Sequence, residues 1–150
     1  MLIHLFSVVK LRIFLAIILA TIAFTQWGFI WYATLFDDLW QTLIDRTEEE
    51  LLVMAVSRGF IQTILTYLIS LVQAVGLFLL IHMTRAKTFL DYQIIAAIVS
   101  SMIALPVLGN AVLFEGATGA LWVLDFSHFI WGYAGMAGVF FIVKNFKKSS

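Results

Sequence analysis

The chain has 150 residues, of which 63% are hydrophobic, 15% aromatic and 12% charged, with a formal net charge of +0. Soluble domains carry about 25% charged and 45–50% apolar residues, so this composition, with a mean hydropathy of +1.03, would give a water-soluble fold far too much apolar surface. It excludes a soluble enzyme and reads as a single integral membrane domain over residues 1–150; the absent net charge argues against a nucleic-acid partner, and zero cysteines exclude disulfides, thiolate metal sites and cysteine nucleophiles.

A helix needs about 20 mainly apolar residues to cross the hydrocarbon layer. The first such stretch covers about residues 13–36 and follows Lys10 and Arg12. A basic start before an apolar run also describes a secretory signal. The run is longer than the usual 7–15 residues of such a segment, however, and it passes into Thr25–Gln26–Trp27 with no small-residue cleavage site, so an uncleaved anchor is expected.

The 22 residues from Asp37 to Arg58 are too long for a tight turn. Leu39, Trp40, Leu43 and Ile44 form an apolar stripe opposite Asp38, Gln41 and Asp45, which predicts a short helix lying on the outer membrane surface. Thr47–Glu48–Glu49–Glu50 predicts a capping box with Thr47 as N-cap and Glu50 at N3, and the acids suit the positive end of a helix dipole. The second membrane helix therefore starts outside the membrane near Glu48, with Gly59 as a bend at the interface, and spans about 60–81.

The third and fourth spans cover about 90–114 and 120–143. Lys and Arg concentrate in cytoplasmic loops. Lys10, Arg12, Arg85, Lys87, Lys144, Lys147 and Lys148 fall on one side of these four spans, and Arg46 and Arg58, among many acids, on the other. The expected fold is all-α: a polytopic four-transmembrane-helix bundle in the cytoplasmic (inner) membrane, with both termini cytoplasmic and a short interfacial helix in the first outer loop.

Small residues let helices approach closely in lipid. The fourth span has Gly132, Gly135 and Gly138, the third Ala96, Ser100 and Ala104, the first Ala16 and Ala20, and the second Ser70 and Ala74. Pro106, which lacks an N–H, is expected to bend or open the third helix. Trp27, Trp31, Tyr32, Trp40, Trp122 and Trp131 gather toward the outer side, where an interfacial belt is their ordinary role.

Ionisable residues within a membrane are costly and are functional candidates by default. Asp125 and His128 stand three apart on the fourth helix, hence on one face. Folding the last two spans back on each other about a loop near Ala117 and Thr118 sets Asn110 level with Asp125, and Gln62 and Gln26 fall at similar depth. Gln26, Gln62, Asn110, Asp125 and His128 thus form one layer in the outer half. Such a layer is either an outward-facing pocket for a small ligand or a proton, or a hydrogen-bonded clasp between helices. In the pocket reading Asp125 is the charged anchor, His128 its partner, Asn110 the orienting group, and Trp31 and Tyr32 the walls.

Other chemistries have less behind them. His82 and His128 lie at opposite ends of their spans and cannot share a haem, and Asp125 with His128 supplies only two metal ligands. No P-loop, G-x-S-x-G or H-E-x-x-H occurs, and Ser127 points away from its neighbour His128 on a helix. No catalytic residue, metal site or cofactor is assigned.

Gly28, Trp31–Tyr32, Leu35–Phe36 and Trp40 form a G-x-x-W-Y-x-x-L-F-x-x-x-W run, followed by Thr47–Glu48–Glu49–Glu50. Asn110, Leu113–Phe114–Glu115–Gly116, Leu124–Asp125 and His128 come later, before a glycine-rich end. This order resembles the small four-helix bacterial membrane proteins of the domain of unknown function 1761 family, from about Thr21 to Val143. The resemblance implies the four-span fold and sets Trp31, Tyr32, Asn110, Glu115, Asp125 and His128 in one pattern; it carries no activity. Two other functions stay open: an accessory subunit docking on a larger membrane complex, and a small transporter or channel. The partners expected are the lipid bilayer and either a second copy of the chain or another membrane protein.

Overall fold

The computed structural model describes residues 2–146, with side chains for all of these except residues 2–10, 48, 54, 55 and 58. Lys147 and Lys148, and the side chains of His4, Lys10, Glu48 and Arg58, lie outside what is described. Helix α1 (Leu2–Ile30) runs into a π-helical turn over Trp31–Leu35, and α2 (Asp37–Ile44) follows. Three long helices complete the chain: α3 (Glu48–Met83), α4 (Phe89–Phe114) and α5 (Gly119–Asn145). Four segments, Leu11–Leu35, Gly59–Met83, Phe89–Phe114 and Gly119–Asn145, are long and apolar enough to cross a membrane. The chain is a multi-pass membrane protein.

Local signals fix the helix ends. Thr47 accepts from the Glu50 N–H while the Glu50 carboxylate accepts from the Thr47 N–H, so the capping box starts α3 where the sequence predicts it. Thr88 and Asp91 form a second box at α4, and Thr118 caps α5 through the Leu121 N–H. At 36 residues, α3 is about 54 Å long, well beyond the ~30 Å hydrocarbon thickness, so its first turns project past the apolar segment. The helix continues unbroken through Gly59, and α4 is continuous through Pro106. Glycine is required at Gly116, whose φ of 78° lies in the left-handed region just beyond α4.

Helix α5 packs against α1 and α4 and touches α2 and α3; α1 also packs along α3, and the α3–α4 contact is thinner. The buried stripe of α5 is Leu124, His128, Gly132, Met136 and Phe140, at four-residue spacing, with Tyr133 and Ala137 beside it. Tyr92, Ala96, Ser100 and Ala104 form the matching stripe of α4. Ala16, Ala20, Ser70 and Ala74 are buried as well. The sequence-predicted small residues on α1, α3 and α4 thus lie at helix contacts within one chain.

The glycines of α5 differ among themselves. A Cβ on Gly132 would come within 2.5 Å of the Phe24 ring, whereas on Gly135 or Gly138 it would meet nothing within 4 Å. Three-residue spacing turns about 300° per step on an α-helix, so each successive glycine rotates roughly 60° away from the contact that Gly132 makes. Pro106 is exposed and belongs to no buried stripe.

The core gathers Phe24, Leu77, Tyr133, Met136 and Phe140 with small residues of all four long helices, in the half of the molecule nearer the α3–α4 loop. Outward large residues such as Phe60, Val72 and Met102 are apolar, as a lipid-facing surface requires.

Candidate functional site

The half of the molecule nearer α2 also contains open space. A cleft of about 460 Å³ opens there between α1 and α3, reaching the π-turn and the start of α2, with His128 of α5 on its wall. Most of its wall is apolar, including Phe24, Phe29, Ala33 and Trp40. Its polar groups are Gln62, His128, Tyr32, Asp37 and a set of hydroxyls.

His128 is 7% exposed. Its ring lies 5.0 Å from Tyr32, 5.4 Å from both Phe24 and Phe129, and 6.3 Å from Trp31, measured between centroids. Gly28 lets the ring close on α1: a Cβ there would stand 3.4 Å from the imidazole Nε2. Neither ring nitrogen has a hydrogen-bond partner among the described residues. A buried donor or acceptor left unpaired costs about 1–3 kcal/mol, so an imidazole in this state is a reserve of unused hydrogen-bonding capacity at the cleft wall.

Asp125 sits behind the cleft rather than on it. Its carboxylate accepts a 2.8 Å hydrogen bond from the Tyr32 hydroxyl, and the Tyr32 ring makes tilted contacts with both His128 and Trp40, the latter at 5.6 Å between centroids. The π-turn makes this possible. Its wider turn, closed by the Phe36 N–H donating to the Trp31 carbonyl at 3.0 Å, changes the direction of successive side chains relative to an α-helix. Trp31 and Tyr32, adjacent in sequence, both reach the His128 ring.

The predicted layer therefore divides. His128, Gln62 and Tyr32 line one cleft, with Trp31 and Asp125 one contact behind it. Gln26 is turned elsewhere, donating to the Tyr67 hydroxyl at 3.0 Å on an exposed part of the α1–α3 contact. Asn110 is exposed, and Tyr32 holds the position beside Asp125 that the hairpin register assigned to Asn110. The reason is azimuth. The buried stripe of α4 ends at Ala104, and the six residues from there to Asn110 turn the helix about 600°, which leaves Asn110 about 120° away from the buried face.

Gln62 was expected here; sequence reasoning missed the rest of its polar edge on α3, where Gly59, Thr63, Thr66 and Ser70 also line the cleft. Their spacing of three and four residues places them on one helical face, a signal present in the sequence but masked by a uniformly apolar background. Thr63 and Thr66 donate to the carbonyls of Gly59 and Gln62 one turn back, and Thr25 donates to Ser70 at 2.9 Å, which leaves oxygen lone pairs as the hydroxyl contribution to the cleft.

A family model described as "Protein of unknown function (DUF1761)" matches residues 15–141. The chain belongs to this family. The match takes in the π-turn, the cleft-lining part of α3, and both Asp125 and His128, so the whole site is built from segments of the family domain. No curated protein and no solved structure gives a match.

Proposed function

We propose that this DUF1761 protein resides in the cytoplasmic membrane with both termini inside, and that the cleft beside α2 faces outward and holds a small, mainly apolar ligand carrying one hydrogen-bonding group. The observation that supports this most strongly is the His128 imidazole, buried against four aromatic rings with both nitrogens unpaired at the wall of a 460 Å³ cleft. Binding sites of this kind are mostly apolar with few oriented polar groups. His128 would meet the ligand's polar group as donor or acceptor, Tyr32 and Trp40 would flank it, and Asp125 would hold the Tyr32 hydroxyl in place. The unequal distribution of Lys and Arg along the chain supports the orientation.

Profiling of small molecules extracted from protein purified in mild detergent tests the reading. A compound enriched with the wild type should fall at least tenfold in His128→Phe at an unchanged gel-filtration profile. The same compounds at the same level in both preparations would remove the ligand site. Asp125→Asn, which still accepts from Tyr32, should retain the compound if Asp125 acts by positioning and lose it if its charge is the anchor.

A further inference from the structure

The other end of the molecule carries a second cavity, about 530 Å³, where all four long helices and the α3–α4 loop converge. Its floor is apolar and well packed: Ala16, Ile81 and Phe140 are each at most 5% exposed. Its rim is basic, formed by Arg12, Arg85, Lys87 and Lys144 with His82 between them. Among the described residues none of these four cations has a carboxylate within 4.0 Å; the ion pair found there is Arg46–Glu50, in another part of the chain. The nearest acid in sequence, Asp91, spends its carboxylate on the backbone N–H groups of Lys87 and Thr88.

The rim is held rather than loose. Lys144 donates to the Ala86 carbonyl at 3.0 Å and lies 5.3 Å from the centre of the Tyr92 ring, fixing the loop to α5. Helix α3 ends in a Schellman pattern, with the Ala86 N–H donating to Ile81 and the Arg85 N–H to His82. Arg85 occupies its left-handed position at φ 55°, where glycine is the ordinary residue. The local backbone would be easier without a Cβ; what the arginine adds is a cation over the cavity.

We propose that this cavity binds an anionic phospholipid, its phosphate among Arg12, Arg85, Lys87 and Lys144 and one acyl chain against the apolar floor. Two features select this occupant. Guanidinium and ammonium groups gathered at one rim, with no carboxylate within 4.0 Å among the described residues, match a phosphate, and basic pockets between membrane helices are suited to acidic head groups. A free phosphate would leave the apolar floor unused, whereas a neutral lipid would leave the cations unpaired.

Native mass spectrometry of the full chain, titrated with phosphatidylglycerol and phosphatidylcholine in the same detergent, tests the proposal. Phosphatidylglycerol should be retained at least tenfold more tightly. Each cation near an acidic lipid surface is worth about fivefold in affinity, so Arg85→Gly with Lys87→Gln should weaken retention by about 25-fold. Arg85→Gly relieves the left-handed backbone, so this variant keeps its fold while losing the charge, and Arg46→Gln at the far end should change nothing. Equal retention of the two lipids, or unchanged affinity in the double variant, would overturn the assignment. So would displacement of the lipid by millimolar inorganic phosphate, which would mark a site for the free anion.

Discussion

Single residues show how a polar group is made tolerable inside an apolar molecule. Asp125 is the one acidic residue within a span beyond its first turn, and it is met by the Tyr32 hydroxyl at 2.8 Å. Interhelical polar contacts in membranes are worth about 0.6 kcal/mol on average and up to ~1.7; a carboxylate acceptor belongs near the upper end. A double-mutant cycle with Tyr32→Phe and Asp125→Ala, read by unfolding in mixed micelles, should give a coupling of about 1–1.5 kcal/mol. A coupling near zero would mean that this contact does not tie α5 to the π-turn. His128 could be picked out of the sequence as an intramembrane ionisable group with Trp31 and Tyr32 as its walls, but the Phe24 and Phe129 rings that complete its surroundings could not, because which apolar residues close on it depends on how α1 packs against α5.

At the scale of elements, backbone proximity decides what a residue type means. Gly132 lets α5 lie against Phe24 and Trp27 of α1, while Gly135 and Gly138 have open space where a Cβ would go. Gly132→Ala should therefore overpack the contact and cost about 1–3 kcal/mol. Gly135→Ala should be neutral or stabilise the helix by up to about 1 kcal/mol, since alanine is the better helix former. Thermal unfolding of the two variants in one detergent separates them; equal losses would contradict the asymmetric packing of α5. The capping box at Thr47 was legible beforehand because all its atoms lie within four residues. The π-turn was not, because it depends on how the Trp31–Phe36 segment settles between α2 and α5.

The whole molecule is divided along its length. Acidic and neutral polar groups lie at the α2 end with the His128 cleft, and Arg12, Arg85, Lys87 and Lys144 surround a cavity at the other, with the core nearer the basic end. The proposed orientation follows from this division. Because the chain has no cysteine, Thr42→Cys on α2 and Thr84→Cys beyond α3 can each be probed alone. An impermeant maleimide should label Thr42→Cys on intact cells and Thr84→Cys only after permeabilisation; the reverse pattern would invert the topology.

Composition and hydropathy by themselves determined that this is a membrane protein with four apolar helices, and short-range chemistry determined where α3 begins. Those are properties read along one chain, and they survive any arrangement of the helices. Depth could be read in the same way, which is why Gln26, Gln62, Asn110, Asp125 and His128 shared a level. Only the tertiary structure decided which of them meet, because rotation of each helix about its axis is set by the neighbours it packs against. The Tyr92–Ala104 stripe turns Asn110 outward, and the π-turn brings Tyr32 to Asp125 in its place.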